Sequence, residues 1–187
     1  YRQQVLLELA SLPSRFTYRV LCGMTGSGKT RLLQALAQCG EQVLDLEELA
    51  KHRGSLLGAL PGVAQPSQKG FDSLLWQAFK QLDPARPVYV EAESKKIGLL
   101  QLPDALMQAL AQADCIRVDA SLEDRVVFLC EDYAALFDQP EWFKQQLARE
   151  EPRLTEQLTR LDEGQGWCVQ PVEHIEVQWL LARTTPE

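Results

Sequence analysis

The chain has 187 residues, 45% of them hydrophobic, which suits one α/β domain with a sizeable core. Its net charge of −7 argues against indiscriminate binding to nucleic acid. No apolar run approaches the ~20 residues of a membrane helix, so a membrane-spanning helix is excluded.

Residues 1–12 read as a helix, with Val5, Leu6, Leu9 and Leu12 on one apolar face and Pro13-Ser14 ending it. The chain opens on Tyr rather than Met, so residues 1–17 read as a connector arriving from an upstream domain. A P-loop domain then fills 18–187, with a mostly helical acidic part from about 121. Residues 18–22 are apolar and β-prone. They run into Gly23-Met24-Thr25-Gly26-Ser27-Gly28-Lys29-Thr30, a G-x-x-x-x-G-K-T sequence. Strong helix formers follow, with an apolar stripe through Leu32, Leu33 and Leu36. Strand, glycine loop and helix is the context in which this motif cradles phosphate. Backbone N–H groups of Gly23, Thr25, Gly26, Ser27 and Gly28 converge on anionic oxygens, and the helix N-terminus adds unpaired donors. Lys29 reaches a terminal phosphate and the Thr30 hydroxyl holds Mg²⁺.

Further strands are expected at 42–46, 87–91 and 115–119, separated by helical stretches. That alternation predicts a parallel sheet covered on both faces: a P-loop NTPase-like three-layer α/β domain of nucleotide-kinase type. Between the second and third strands, residues 53–70 are rich in Gly, Pro, Ser and Gln and read as a long irregular segment. Leu102-Pro103 precedes a helix over 104–114. Ser121 and Asp124 have capping-box spacing. Residues 123–163 look helical with breaks at Pro140 and Pro152. A turn at 164–166 leads to a final hairpin of 167–170 and 175–181.

Glu91 ends the third strand, where parallel strands meet a ligand crevice, and is placed to hold magnesium through water or to polarise a nucleophile. Glu93 follows it. Asp45 ends the second strand and fits either a catalytic role or a helix cap. His52, Arg53 and Ser55 open the long segment, and Arg53 can clamp a phosphate. Lys95 and Lys96 follow the Glu91/Glu93 strand end. Residues 1–118 sum to +2 and residues 119–187 to −9, so a local basic face falls on the N-terminal part. The five cysteines, Cys22, Cys39, Cys115, Cys130 and Cys168, show no C-x-x-C spacing. They are expected to be buried free thiols in a reducing compartment.

Together the loop, Asp45-Leu46-Glu47, His52-Arg53-Gly54-Ser55, Pro66-Ser67-Gln68-Lys69, residues 90–98 (VEAESKKIG) and Leu102-Pro103 resemble the C-terminal P-loop domain of bacterial tRNA 2-selenouridine synthases. The resemblance is specific over about 18–120 and looser beyond. It implies a cytoplasmic enzyme with an upstream rhodanese-like domain that carries the catalytic cysteine; none of the five cysteines here matches that active-site loop. It also implies conversion of wobble 2-thiouridine in the tRNA anticodon to 2-selenouridine. Selenophosphate is then the selenium donor and geranyl diphosphate the source of an S-geranylated intermediate. His52, Arg53, Ser55, Gln68, Lys69, Lys95 and Lys96 become substrate- or tRNA-binding candidates. Thr30 and Glu91 become the metal ligands. Residues 71–79 could offer a slot for the prenyl chain, although an amphipathic core helix is the favoured reading. Two rival readings stand beside it. One is an ATP- or GTP-dependent kinase of small molecules, needing an arginine lid for which Arg149, Arg153 and Arg160 are candidates. The other is a non-catalytic tRNA-docking module.

Overall fold

The computed structural model describes residues 1–54 and 58–132, Trp142, Gln145 and the backbone of 174–176. Helix α1 (Arg2–Leu9) and a 3-10 turn (Pro13–Arg15) precede strand β1 (Tyr18–Cys22). The phosphate loop leads into α2 (Lys29–Gln38), then β2 (Gln42–Leu44), α3 (Leu46–Ala50) and α4 (Gln68–Gln81). Strand β3 (Val88–Glu91) is followed by a small hairpin of β4 (Lys96–Ile97) and β5 (Leu100–Gln101). The described chain continues through α5 (Asp104–Ala111), β6 (Asp114–Asp119), α6 (Leu122–Asp132) and β7 (His174–Glu176). The hairpin is an addition to the elements expected from sequence, and α3 is the helix whose cap Asp45 offered. The expected helix beyond 132, the arginines 149, 153 and 160, and most of the C-terminal hairpin lie outside the described residues. Within that last region, 174–176 pairs parallel with β6.

The main sheet has the order β2-β3-β1-β6-β7 and its described pairings are all parallel. Its strands alternate apolar residues to both faces, as a sheet covered on two sides requires. Val20, Leu44, Val88 and Val90 join the larger core with Val5, Leu9, Phe71, Leu75, Phe79 and Leu106. Leu21 and Val118 face the other way, onto Leu32 and Leu33 of α2. Three layers result, with α2 on one face and α1, α4 and α5 on the other. The favoured reading of 71–79 holds: it is an amphipathic core helix, with Phe71, Leu75 and Phe79 as buried side chains of α4, and no prenyl slot opens there. Because β1 lies between β3 and β6, the loop leaving β1 is flanked by the C-terminal ends of both neighbours.

The cysteines depart from expectation. Cys22 and Cys115, on adjacent strands with Cα atoms 6.2 Å apart, form a disulfide, and Cys39 and Cys130 are exposed free thiols. Strand adjacency accounts for the pairing: 93 residues of sequence separate the two, but β1 and β6 are hydrogen-bonded neighbours.

Helix α1 is fastened to α4 by a cluster around Glu8. Its carboxylate accepts from Trp76 Nε1 at 2.9 Å and Gln4 Nε2 at 3.0 Å, and pairs with Lys80 Nζ at 2.7 Å. Lys80, Trp76 and Gln4, in that order of effect, hold the carboxyl down at about 2. A depressed acid contributes stability above its ordinary pKa and loses it as pH falls toward the folded value. Melting temperature is therefore expected to fall between about pH 4.5 and 2, and Glu8→Gln should flatten that part of the profile. An unchanged acid limb in the variant would remove Glu8 as the fastening.

Candidate active site

The loop wraps the N-terminus of α2, with Gly28 as its N-cap residue. Ser27 is buried, and its Oγ has no hydrogen-bond partner. Lys29 folds back on the loop, donating from Nζ to Gly23 O at 2.9 Å and Met24 O at 3.3 Å. The ammonium thus occupies the loop as a tethered cation.

Glu91 brings a carboxylate to the same place from the end of β3. The Thr30 side chain lies beside it, and its Oε1 is buried without a partner. Burial pushes the Glu91 carboxyl up, opposed by Thr30 and Lys29. Glu93 is raised by burial and then by the charge of Glu91. Glu47 is raised further, by burial and then by Glu91 and Glu93. These shifts record negative charge gathered out of water, a common feature of functional sites.

Glu47 is not among the candidates singled out from sequence. Asp45, the candidate nearest to it, caps α3 instead, its Oδ1 accepting from Glu48 N at 2.8 Å. A cap fixes the first turn of the helix, and that turn points Glu47 into the cavity. The signal is present as an acid two residues past a favoured cap, but its direction depends on how α3 meets β3.

One cavity of about 420 Å³ joins these groups, a volume suited to a small ligand. Gly23, Thr25, Gly26, Gly28, Lys29 and Thr30 form its floor, and Glu47, Arg53, Gly54, Glu91 and Glu93 one wall. Helix α6 closes the other wall with Phe128, Leu129 and Asp132. The expected cap holds this helix, with Asp124 N donating to Ser121 Oγ at 3.1 Å. Three contacts tie α6 across the site. Arg125 Nε donates to Thr25 O at 3.0 Å, Arg31 pairs with Glu131 at 2.9 Å, and Arg53 pairs with Asp132 at 3.2 Å. The Arg31 guanidinium also lies 4.1 Å from the Phe128 ring centroid. The apolar wall escapes a reading of the sequence, because nothing local marks Phe128 and Leu129 as neighbours of the loop.

The remaining candidates separate by role. His52 is buried, bridged through its backbone to Ala59. Gln68 spends its amide on the β4–β5 hairpin, donating to Gln101 O at 3.0 Å and accepting from Gln101 N at 2.9 Å. Gln65 does the same for Ile97 O and Leu99 N. Lys69, Lys95 and Lys96 are exposed and lie outside the cavity lining, Lys95 pairing with Asp104 at 2.6 Å. Ser55 lies outside the described residues.

The sequence has known relatives. A family model described as the tRNA 2-selenouridine synthase AAA domain matches residues 16–163. The tRNA 2-selenouridine synthase of Nitrosomonas europaea is 42% identical over 117 residues, covering 61% of this chain and 30% of that protein. The one from Alcanivorax borkumensis is 39% identical, covering 71% of this chain and 36% of that protein. The one from Hahella chejuensis is 35% identical over 148 residues, with 78% and 38% covered. The chain thus spans about a third of the length of these relatives. The matched stretch takes in the glycine loop, the carboxylates of α3 and β3, and α6, so the cavity falls wholly within it, and the chain belongs to the tRNA 2-selenouridine synthase AAA domain family.

Proposed function

We propose that this chain is the diphosphate-handling part of an enzyme that converts wobble 2-thiouridine of tRNA to 2-selenouridine through a geranylated intermediate. The observation that carries this reading is the single cavity in which a phosphate loop faces three carboxylates and an apolar wall, in a chain of this family. Loop amides and Lys29 bind and orient the diphosphate of geranyl diphosphate, or selenophosphate in its turn. Phe128 and Leu129 receive the prenyl chain. The buried, unpartnered Glu91 Oε1 fits a magnesium ion beside Thr30. When bound, magnesium neutralises charge that builds on departing pyrophosphate. The cysteine chemistry falls to the rhodanese-like domain that the resemblance implies.

Calorimetric titration tests the ligand. Geranyl diphosphate with magnesium is expected to bind more tightly than inorganic pyrophosphate. Phe128→Ala should remove most of that difference, since burying such a side chain is worth about 1.5–3 kcal/mol when complete. It should leave pyrophosphate binding unchanged. Tightest binding of ATP or GTP, with transfer of the terminal phosphate to a small acceptor, would overturn the reading in favour of a kinase.

The tRNA is placed on the exposed rim that carries Lys69, Lys95 and Lys96, with Arg53 at the cavity edge. The exposed Lys95–Asp104 pair is a weak competitor for a phosphate. The double change Lys95→Glu with Lys96→Glu is expected to weaken tRNA binding. It should flatten the log–log salt slope by roughly 0.7–0.9 for each tRNA phosphate that is no longer neutralised. Unchanged affinity and slope would remove this face as the tRNA surface.

A further inference from the structure

Glu47, Glu91 and Glu93 arrive from two elements, the first turn of α3 and the end of β3. One carboxylate oxygen of each lies within 4.8 Å of one from each of the others. Such a span suits a shared cation with oxygen ligands at roughly 2.0–2.6 Å. Two further observations point to an occupant. Glu91 is 5% exposed, and its Oε1 is buried without a hydrogen-bond donor. Gly54, at φ +61°, leaves open the space that a side chain would take. A Cβ there would stand 2.6 Å from Glu47 Oε1 and 2.8 Å from both oxygens of Glu93. A side chain at 54 would crowd the facing oxygens of Glu47 and Glu93.

Three carboxylates withdrawn from water need compensating positive charge. Lys29, held on Gly23 O and Met24 O, supplies one positive charge near Glu91 and Glu93, too little for three carboxylates, and Arg53 is paired with Asp132. We propose that Glu47, Glu91 and Glu93 bind one hard divalent cation in the protein free of any phosphate ligand. An all-oxygen, all-carboxylate set selects Mg²⁺, Mn²⁺ or Ca²⁺ over softer ions. This position shares Glu91 with the magnesium that accompanies a diphosphate at Thr30, and differs from it in adding Glu47 and Glu93. It goes beyond the proposed function, needing neither tRNA nor diphosphate. Its consequence is a preset charge: an incoming diphosphate meets a cation already held against the wall opposite α6.

The test is a Mn²⁺ titration of the whole chain in phosphate-free, mildly alkaline buffer, followed by electron paramagnetic resonance of the free ion. The expected result is a single bound Mn²⁺, displaced by Mg²⁺ or Ca²⁺, that also raises the melting temperature. Glu47→Gln and Glu93→Gln should each weaken it at least about tenfold, in line with removal of a charged ligand. Glu48→Gln, at an exposed acid of the same helix, should leave it essentially unchanged. Absence of bound Mn²⁺ at millimolar concentration overturns the proposal, as does binding indifferent to both glutamine variants. Equal weakening in Glu48→Gln also overturns it, by reducing the site to diffuse attraction of a cation to acidic surface. If one glutamine variant fails to fold, the other and the parent titration still decide. Failure of geranyl diphosphate to bind would sink the functional reading and leave this result standing.

Discussion

Lys29→Ala is expected to weaken diphosphate binding by about tenfold to a hundredfold while leaving the fold intact. The ammonium is the mobile cation of the loop, and a charge-assisted interaction with phosphate is worth about 1.5–3 kcal/mol. In the free protein Nζ sits on Gly23 O and Met24 O, so part of that gain is offset by the hydrogen bonds it must leave. The fold is spared because Lys29 belongs to neither apolar cluster of buried residues. The variant also separates anion from cation binding. Lys29 lowers the proton affinity of Glu91 and Glu93, which places its charge close to both carboxylates. Removing that charge should leave Mn²⁺ binding to the phosphate-free chain as strong as before, or stronger. Titrating the variant with pyrophosphate and with Mn²⁺ checks both arms. Parental affinity for every phosphate ligand would refute the cradle assignment.

What is legible in the residues is what depends on near neighbours in sequence. The loop, its flanking strand and its helix are contiguous, so pattern and chemistry coincide within about fifteen residues. Strands expected at 18–22, 42–46, 87–91 and 115–119 appear as Tyr18–Cys22, Gln42–Leu44, Val88–Glu91 and Asp114–Asp119. Their apolar runs are short and bounded by polar residues, and parallel strands buried on both faces carry that signature. The misses all involve contacts made across the chain. The hairpin at 96–101 has two residues per strand, too few for alternation to show, and its position depends on glutamines 65 and 68 in the irregular segment. Asp45 takes the cap that the sequence also allows, and Glu47, not marked in the sequence, lines the cavity because the orientation of α3 decides which side chain reaches it. The Cys22–Cys115 pair requires knowing that β6 lies beside β1. Phe128 reaches the site for the same reason: β6 ends next to the loop, and α6 starts there.

Gly23→Ala is expected to be the most damaging single methyl group in the site. Gly23 follows the last residue of β1, and its backbone passes against β6. A Cβ would lie 2.3 Å from Val118 O and 2.8 Å from Ser27 Oγ. The first neighbour is a backbone carbonyl of a strand whose Val118 side chain is fully buried, so it cannot step aside as a flexible side chain would. The second, Ser27, is itself buried in the loop. Overpacking of this kind costs about 1–3 kcal/mol, and the residue's φ of +155° adds backbone strain of similar size. Together these are about 2–6 kcal/mol, or a fall of roughly 4–24 °C in melting temperature for a chain of this length. Gly40→Ala is the control, since Gly40 also has positive φ, +84°, but no atom within 4 Å of an added Cβ. It should cost only the conformational part, about 1–2 kcal/mol. The difference between the two melting temperatures then measures the clash of the loop against β6. Diphosphate affinity should fall with Gly23→Ala and hold with Gly40→Ala, because only the first displaces Ser27 and the amides behind it. Equal melting temperatures for the two variants would show that the loop is not clasped to β6, and the positions of Ser27, Gly28 and Lys29 would then need another support.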